Sequence, residues 1–428
     1  MSATSIAGVF AWEALDSRGN PTVACEVRLE GGATGVATAP SGASTGTHEA
    51  HELRDGGSRY GGKGVRNAVA NAAGEFAAAV RGLDAHDGEA VDQALRDADG
   101  TPNLGRLGAN ATLAISVAAA LAAAGADQVP FYRSLGGERE PLLPLPMVNV
   151  ISGGAHAGGA IDVQDFLVVP CGAESFAQAM EWAGRVRRAV AAQLAERGLP
   201  AALVADEGGL GPRLASNREA LDLLALGIER AGLRPMEEAA IAVDVAATQL
   251  AHDGRYRLAR EDRTLGPDEL VAELAGWCRT HPIVSIEDPL AEDDWDGWRQ
   301  ATAELGEIQL LGDDLFVTDV DRLERGIREG VANAILAKPN QTGTLSSAAR
   351  VVTRAREAGF ATVVSARSGD TEDSWLADLA IGWGAGQIKV GSTTRSERTA
   401  KWNRLLRIEA ELGGRSRFAG AAALAGRR

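Results

Sequence analysis

The hydrophobic pattern changes rhythm about a third of the way along the chain. Up to about Leu135, strand-like segments at Thr22–Leu29 and Gly35–Ala39 precede alanine-rich helical stretches around Val65–Val80 and Asn110–Ala124. Strands followed by helices predict a small α+β domain over residues 1–135. A proline-rich link, Pro141–Pro146, leads into a second region, 136–428. From Met147 onward, short apolar runs alternate with longer amphipathic segments. The runs are Phe166–Pro170, Ala202–Ala205, Ile241–Val243, Ile283–Ile286, Ile308–Leu311, Ala334–Ala337, Thr362–Val364 and Gln387–Ile388. About eight such units predict a (β/α)8-type barrel, an α/β fold. Ser216 with Glu219 reads as a capping box before Ala220–Gly232, Thr318 with Asp321 as a similar start, and Pro267 as a first helical residue. An open doubly wound sheet is the alternative, but no G-x-G-x-x-G follows a first strand. The Gly-, Ala- and Arg-rich tail from about Gly413 is expected to be partly disordered.

Composition narrows the function classes. The chain has 428 residues and a net charge of −15, which argues against nucleic acid or an anionic membrane as the main partner. No stretch reads as a membrane span, and the alanine-rich run near Val117–Ala126 reads as a buried helix. Three widely spaced cysteines, Cys25, Cys171 and Cys278, fit a reducing cytoplasm better than a disulfide framework or a zinc site. Of the 43 basic residues only Lys63, Lys338, Lys389 and Lys401 are lysines, leaving 39 arginines. A lysine in such a chain is a candidate for work a guanidinium cannot do, such as giving up its proton. Lys63 and Lys401 are read as incidental.

Charged residues follow the apolar runs. The series is Gln164-Asp165-Phe166, Asp206-Glu207-Gly208-Gly209, Asp244, Glu287-Asp288, Asp313-Asp314, Lys338, Arg367-Ser368 and Lys389. A single acid after a strand is usually a helix cap or a solvated loop residue. A whole series at the chemically active end of a barrel is not. Asp244, Glu287 and Asp313, from three successive runs, form an all-oxygen set that suits Mg2+ or Mn2+ better than zinc. Burial and a nearby dication would both disfavour the ammonium form of Lys338 and make it a competent general base.

Five motifs carry a family resemblance. Asp16-Ser17-Arg18-Gly19-Asn20-Pro21-Thr22-Val23, Pro40-Ser41-Gly42-Ala43-Ser44-Thr45-Gly46, Ser285-Ile286-Glu287-Asp288-Pro289, Gly312-Asp313-Asp314-Leu315 and Asn340-Gln341 resemble the enolase family, from about Ile6 to about Gly413. The resemblance implies a hydro-lyase with a lysine base and Mg2+, two ions in all. It implies that Asp244, Glu287 and Asp313 hold the tighter ion and that Ser44 reaches the second. It implies that Lys338 takes the C2 proton and Glu207 helps the C3 hydroxyl leave. Lys389 would hold the substrate carboxylate, Arg367 and Ser368 the phosphate, and His156 would close over the substrate on a loop freed by Gly153, Gly154, Gly158 and Gly159. Taken alone, His156 would read as a solvated loop histidine.

Four positions depart from the family pattern. Asp165 stands where glutamate is usual, Ala366 where histidine is usual, Pro339 directly follows the base, and Ser152 stands for asparagine. Because the metal trio and Lys338 are spared, the expectation is a changed ligand. Ala366 would admit a larger group, as in the enolase-like enzymes of phosphonate antibiotic pathways that make carboxyphosphonoenolpyruvate. The alternatives are a housekeeping enolase acting on 2-phosphoglycerate, and a non-catalytic enolase-like binding protein. A racemase or cycloisomerase is disfavoured because the chain contains no K-x-K. The expected partners are a small phosphorylated or phosphonylated carboxylic acid and a second copy of the chain, as homodimer or higher homo-oligomer. Neither nucleic acid nor membrane is expected. Ala24 replaces a glutamate that in the family often pairs across the dimer with an arginine like Arg407.

Overall fold

A computed structural model describes residues 2–42 and 46–426. The chain begins with an antiparallel sheet, β1 (Ile6–Leu15), β2 (Pro21–Leu29) and β3 (Thr34–Thr38), in sequence order. A helical run over residues 66–80 winds as a π-helix through Ala72–Phe76. Helices α1 (Gly88–Asp99) and α2 (Ala109–Ala126) follow. Helix α2 is apolar all round because it is the core of this region: 78% of it is buried, although it is long and apolar enough to cross a membrane. It lies so close to β3 that a Cβ on Gly35 would sit 2.1 Å from the Ala118 carbonyl oxygen. Ala24 is fully buried in β2, and exposed Arg407 pairs with Glu411 at 2.7 Å.

The second region is a closed barrel of eight strands. They are β4 (Leu145–Ser152), β5 (Asp165–Val169), β6 (Ala240–Asp244), β7 (Ile283–Glu287), β8 (Gln309–Gly312), β9 (Ala334–Ala337), β10 (Ala361–Ser365) and β11 (Gly386–Gly391). Closure excludes the doubly wound alternative. Two expectations need correction. Ala202–Ala205 is not a strand: it makes one isolated bridge, Val204 to Leu210, and Leu203 is exposed. Its place is taken by β4, whose start the proline-rich link conceals. And β5 runs antiparallel to both neighbours, whereas all other barrel pairs are parallel.

Outside the barrel lie α3 (Phe176–Glu196), α4 (Asn217–Arg230), α5 (Pro267–Thr280), α6 (Trp295–Leu305), α7 (Val320–Glu329), α8 (Leu345–Glu357), α9 (Trp375–Gly382) and α10 (Ser396–Leu412). Ser216 caps α4 by accepting the Glu219 N–H, and Pro267 opens α5. Thr318 does not cap α7. Asp319 does, accepting the N–H groups of Asp321 and Arg322, while the Thr318 hydroxyl donates to Gln341. The tail also departs from expectation. Arg417–Phe418 pairs with Leu142–Leu143, and Leu424 is buried among Leu145, Val169, Ala334 and Val363 inside the barrel. Gln387 donates to the Ala423 carbonyl, and the Ala425 N–H donates to Gln309. The tail is therefore an ordered plug through Gly426, held by the polar pair Gln309 and Gln387 inside the barrel.

Candidate active site

Parallel strands deliver their C-terminal residues to one mouth of the barrel. Asp244 ends β6, Glu287 ends β7, and Asp313 and Lys338 directly follow β8 and β9. Lys389 projects from β11. These side chains converge. Lys389 Nζ donates to Asp244 Oδ2 and to Glu287 Oε2, both at 2.7 Å, and Lys338 Nζ donates to Asp313 Oδ2. Gln341 Nε2 reaches Asp313 Oδ1 at 3.0 Å, and Gln164 Nε2 reaches Asp244 Oδ2 at 3.2 Å.

The reversed strand explains Asp165. It begins β5 rather than ending it, and antiparallel pairing sets it directly opposite Asp244. An N-terminal residue thus arrives at the mouth that receives C-terminal residues from the other strands. Asp165 is fully buried, and its Oδ2 meets His156 Nδ1 at 2.8 Å. His156 Nε2 lies 3.9 Å from Glu207 Oε1, making a row of acid, imidazole and acid. Burial would lower the pKa of His156, but Asp165 and Glu207 outweigh it and raise it to about 9. His156 is therefore a buried cation, not a solvated loop residue. Glu207 stands in the irregular segment after Ala205, also within reach of Arg398 Nη1 at 4.0 Å.

The charge balance at the trio points to a cation. Burial and the neighbouring Asp244 push Glu287 well above the usual carboxylate range. Its Oε1 is buried without a hydrogen-bond partner. The tightest acidic triplet is a different one, Asp288, Asp313 and Asp314, with candidate ligand oxygens within 4.8 Å of one another. Asp288 is already committed, however. Its two oxygens accept the N–H groups of Asp313 at 3.0 Å and Asp314 at 2.7 Å. A second close set, His156, Asp165 and Glu207, offers a protonated ring with no lone pair to spare. The orphaned Glu287 oxygen makes Asp244, Glu287 and Asp313 the set that fits a hard divalent cation.

Lys338 departs from expectation. Burial does disfavour its ammonium, but Asp313 outweighs burial and raises its pKa. Asp313 is lowered in turn: burial opposes ionisation and Lys338 more than compensates. In the metal-free chain Lys338 is protonated, so its use as a base requires a cation on Asp313 to compete for that carboxylate.

Arg367 and Ser368 follow β10 and are buried. Arg367 Nη1 and Nη2 donate to Glu49 at 2.8 and 3.2 Å. Fully buried Arg398 holds the same turn by donating to the Arg367 and Ser368 carbonyls, each at 2.6 Å. Sequence reading missed Glu49 and Arg398. Glu49 follows the small-residue loop closely enough to have been suspected, whereas nothing distinguishes Arg398 among 39 arginines. Ser44 lies outside the described residues. Lys401, read as incidental, is buried and donates to Asp370 Oδ1 at 2.8 Å and the Thr371 carbonyl at 2.6 Å.

The departures have local explanations. Ser152 Oγ donates to Asp165 Oδ1 at 2.9 Å, so two of them are one contact in which both side chains are shortened. Pro339 is the first residue of the short helix Pro339–Thr342, where no N–H is needed. Beside Ala366 is a cavity of ≈ 10 Å³, walled by Pro339, Asn340 and Trp375, with room for about one water.

Known proteins give the same answer at both ends of the chain. Residues 6–135 match the family described as "Enolase, N-terminal domain", and residues 140–426 match "Enolase, C-terminal TIM barrel domain". A protein named "Enolase" from Acidothermus cellulolyticus (strain ATCC 43068 / DSM 8971 / 11B) is 51% identical over 419 residues, 98% of this chain and 97% of its own.

Proposed function

The chain belongs to the enolase family, and from that premise we propose that it removes water from 2-phosphoglycerate to give phosphoenolpyruvate. The observation that carries this reading is the convergence of Asp244, Glu287 and Asp313 with Lys338 and Lys389 at the barrel mouth. Asp244, Glu287 and Asp313 would hold Mg2+, and Ser44, outside the described residues, would serve a second ion. Bound there, Mg2+ supplies positive charge to the substrate carboxylate, which makes the C2 proton acidic. Lys389 pairs with the same carboxylate. Lys338, its hold on Asp313 loosened, takes the C2 proton. The C2–H electron pair becomes the C2–C3 double bond. The C3 hydroxyl leaves as water, with a proton supplied from the Glu207 side. Asp165 keeps His156 cationic beside Glu207, and Arg367 with Ser368 receives the phosphate.

The observations favour 2-phosphoglycerate over a phosphonoformyl analogue. The cavity at Ala366 holds about one water, too little for an added group. Asp165 and Ser152 remain hydrogen-bonded to each other at 2.9 Å, so no gap opens between the two shorter side chains. Exposed Phe10 and Leu15 on β1 suit burial against a second copy in a homodimer. The free thiols of Cys25, Cys171 and Cys278 suit a cytoplasmic enzyme.

The test is phosphoenolpyruvate formation from 2-phosphoglycerate with Mg2+, with Lys338→Ala as control. Turnover that Lys338→Ala lowers by about 100- to 10,000-fold is expected, the range for loss of a general base. No turnover despite Mg2+ binding would return the altered-ligand reading, and no Mg2+ binding would favour a non-catalytic role.

A further inference from the structure

Beside the barrel mouth, a cleft of ≈ 610 Å³ is lined by residues of the N-terminal region and by the segments that follow β8 and β9. That is the size of a small-molecule site. Arg96 of α1 and Arg350 of α8 line it, with Ser347, Thr342, Asn103 and Thr47. Its polar groups are out of balance. Arg96 Nη2 donates to Ser347 Oγ at 2.8 Å and to the Thr342 carbonyl at 3.1 Å, and Arg350 Nη2 donates to the same Ser347 Oγ at 3.3 Å. Thr344 Oγ1 donates to that oxygen too, at 2.9 Å. One hydroxyl with two lone pairs thus faces three donors. Arg96 Nε is buried with no acceptor at all.

The charges are equally unbalanced. Among the described residues, neither Arg96 nor Arg350 has a carboxylate within 4.0 Å, in a chain whose arginines are mostly paired. The acids nearby are committed elsewhere. Glu49 is taken by Arg367, and Asp319 caps α7. Asp92, the acid that Arg96 feels, accepts the Ser346 N–H, and burial raises its pKa, so it is a poor counter-charge. Burial and the neighbouring Arg350 lower the pKa of Arg96, the signature of a cation with no counter-ion.

We propose that Arg96, Arg350 and Ser347 form an anion site for a small phosphate-bearing ligand, distinct from the phosphate position at Arg367. Two guanidiniums supply the charge and the planar donors that phosphate oxygens take, and an incoming acceptor takes the Ser347 proton. The wall opposite is the segment 47–50, whose Glu49 holds Arg367, so a ligand here rests against a segment that also reaches the active site.

Calorimetry with inorganic phosphate and with glycerol 3-phosphate tests this on the full chain. An Arg367→Ala background removes the active-site phosphate position. That variant is expected to bind one phosphate per chain, and adding Arg96→Ala or Arg350→Ala is expected to weaken it at least tenfold. In the otherwise unchanged chain, the same two substitutions leave turnover of 2-phosphoglycerate as it was. Tighter binding of glycerol 3-phosphate would identify the ligand as a phosphomonoester, and equal binding would identify free phosphate. Absence of a bound phosphate in the Arg367→Ala variant overturns the proposal. So does binding that survives both arginine substitutions. Arg350 is exposed, so its replacement carries the test if Arg96→Ala does not fold.

Discussion

Asp165 sits at the meeting point of three side chains: Ser152, Asn149 and His156 all bond to it. A carboxylate so enclosed leaves no slack for an added methylene. Asp165→Glu alone is therefore expected to overpack the site, costing about 1–3 kcal/mol of stability. A shift of about 1 Å in a catalytic group costs on the order of 100-fold in kcat. Ser152→Asn alone should also be harmful. The double variant enlarges both sides of one contact, so its loss should differ from the sum of the two single losses, because residues in contact are not additive. Kinetics on the four proteins of this cycle check it, and simple additivity would sink the idea of one coupled contact. The same cluster sets a pH dependence. His156 has a folded pKa of about 9, above its unfolded value, so its stabilising contribution is complete below the unfolded pKa and is lost as pH rises through about 9. Melting curves in chelator should show the unaltered chain losing more stability than His156→Asn between about pH 7 and about pH 10.

Strand direction and the tail decide more than their sequences announce. Reversal of β5 puts Asp165 opposite Asp244, and no hydrophobic pattern carries that information, since a period of two reads the same either way. The tail looks like a flexible, low-complexity end by composition. Its order comes from a barrel floor that offers Gln309, Gln387 and an apolar seat for Leu424. Removing residues 417–428 should cost about 3–5 kcal/mol, from an emptied apolar seat and the lost hydrogen bonds of the tail, those to Gln309 and Gln387 among them. Because the plug lies at the floor and the site at the mouth, KM for 2-phosphoglycerate should not change. Denaturation and steady-state kinetics on the truncated chain separate the two effects.

For the whole molecule, the largest electrostatic liability is a set of buried carboxylates held by two lysines. Mg2+ at the trio would relieve it, and a ligand that binds only the folded chain stabilises by mass action, about 2.7 kcal/mol at 100 times Kd. The melting temperature should therefore rise with Mg2+, and Glu287→Gln should abolish most of the rise. An equal rise in that variant would move the ion to another acidic set, with Asp288, Asp313 and Asp314 the first to examine.

The residue types of the site were legible without coordinates. The charges after most of the apolar runs do lie at strand ends, and an arginine-rich chain makes each lysine conspicuous. The barrel was legible as well, because alternating runs and amphipathic segments record burial, and burial is local to each element. Partnership was not. Glu49 on Arg367 and Ser152 on Asp165 join segments far apart or running in unexpected directions. The protonation of Lys338 depends on Asp313, 25 residues away, and not on its own apolar setting. Burial pattern is written residue by residue, but contact, strand direction and pKa are properties of pairs, and only the folded chain chooses the pairs.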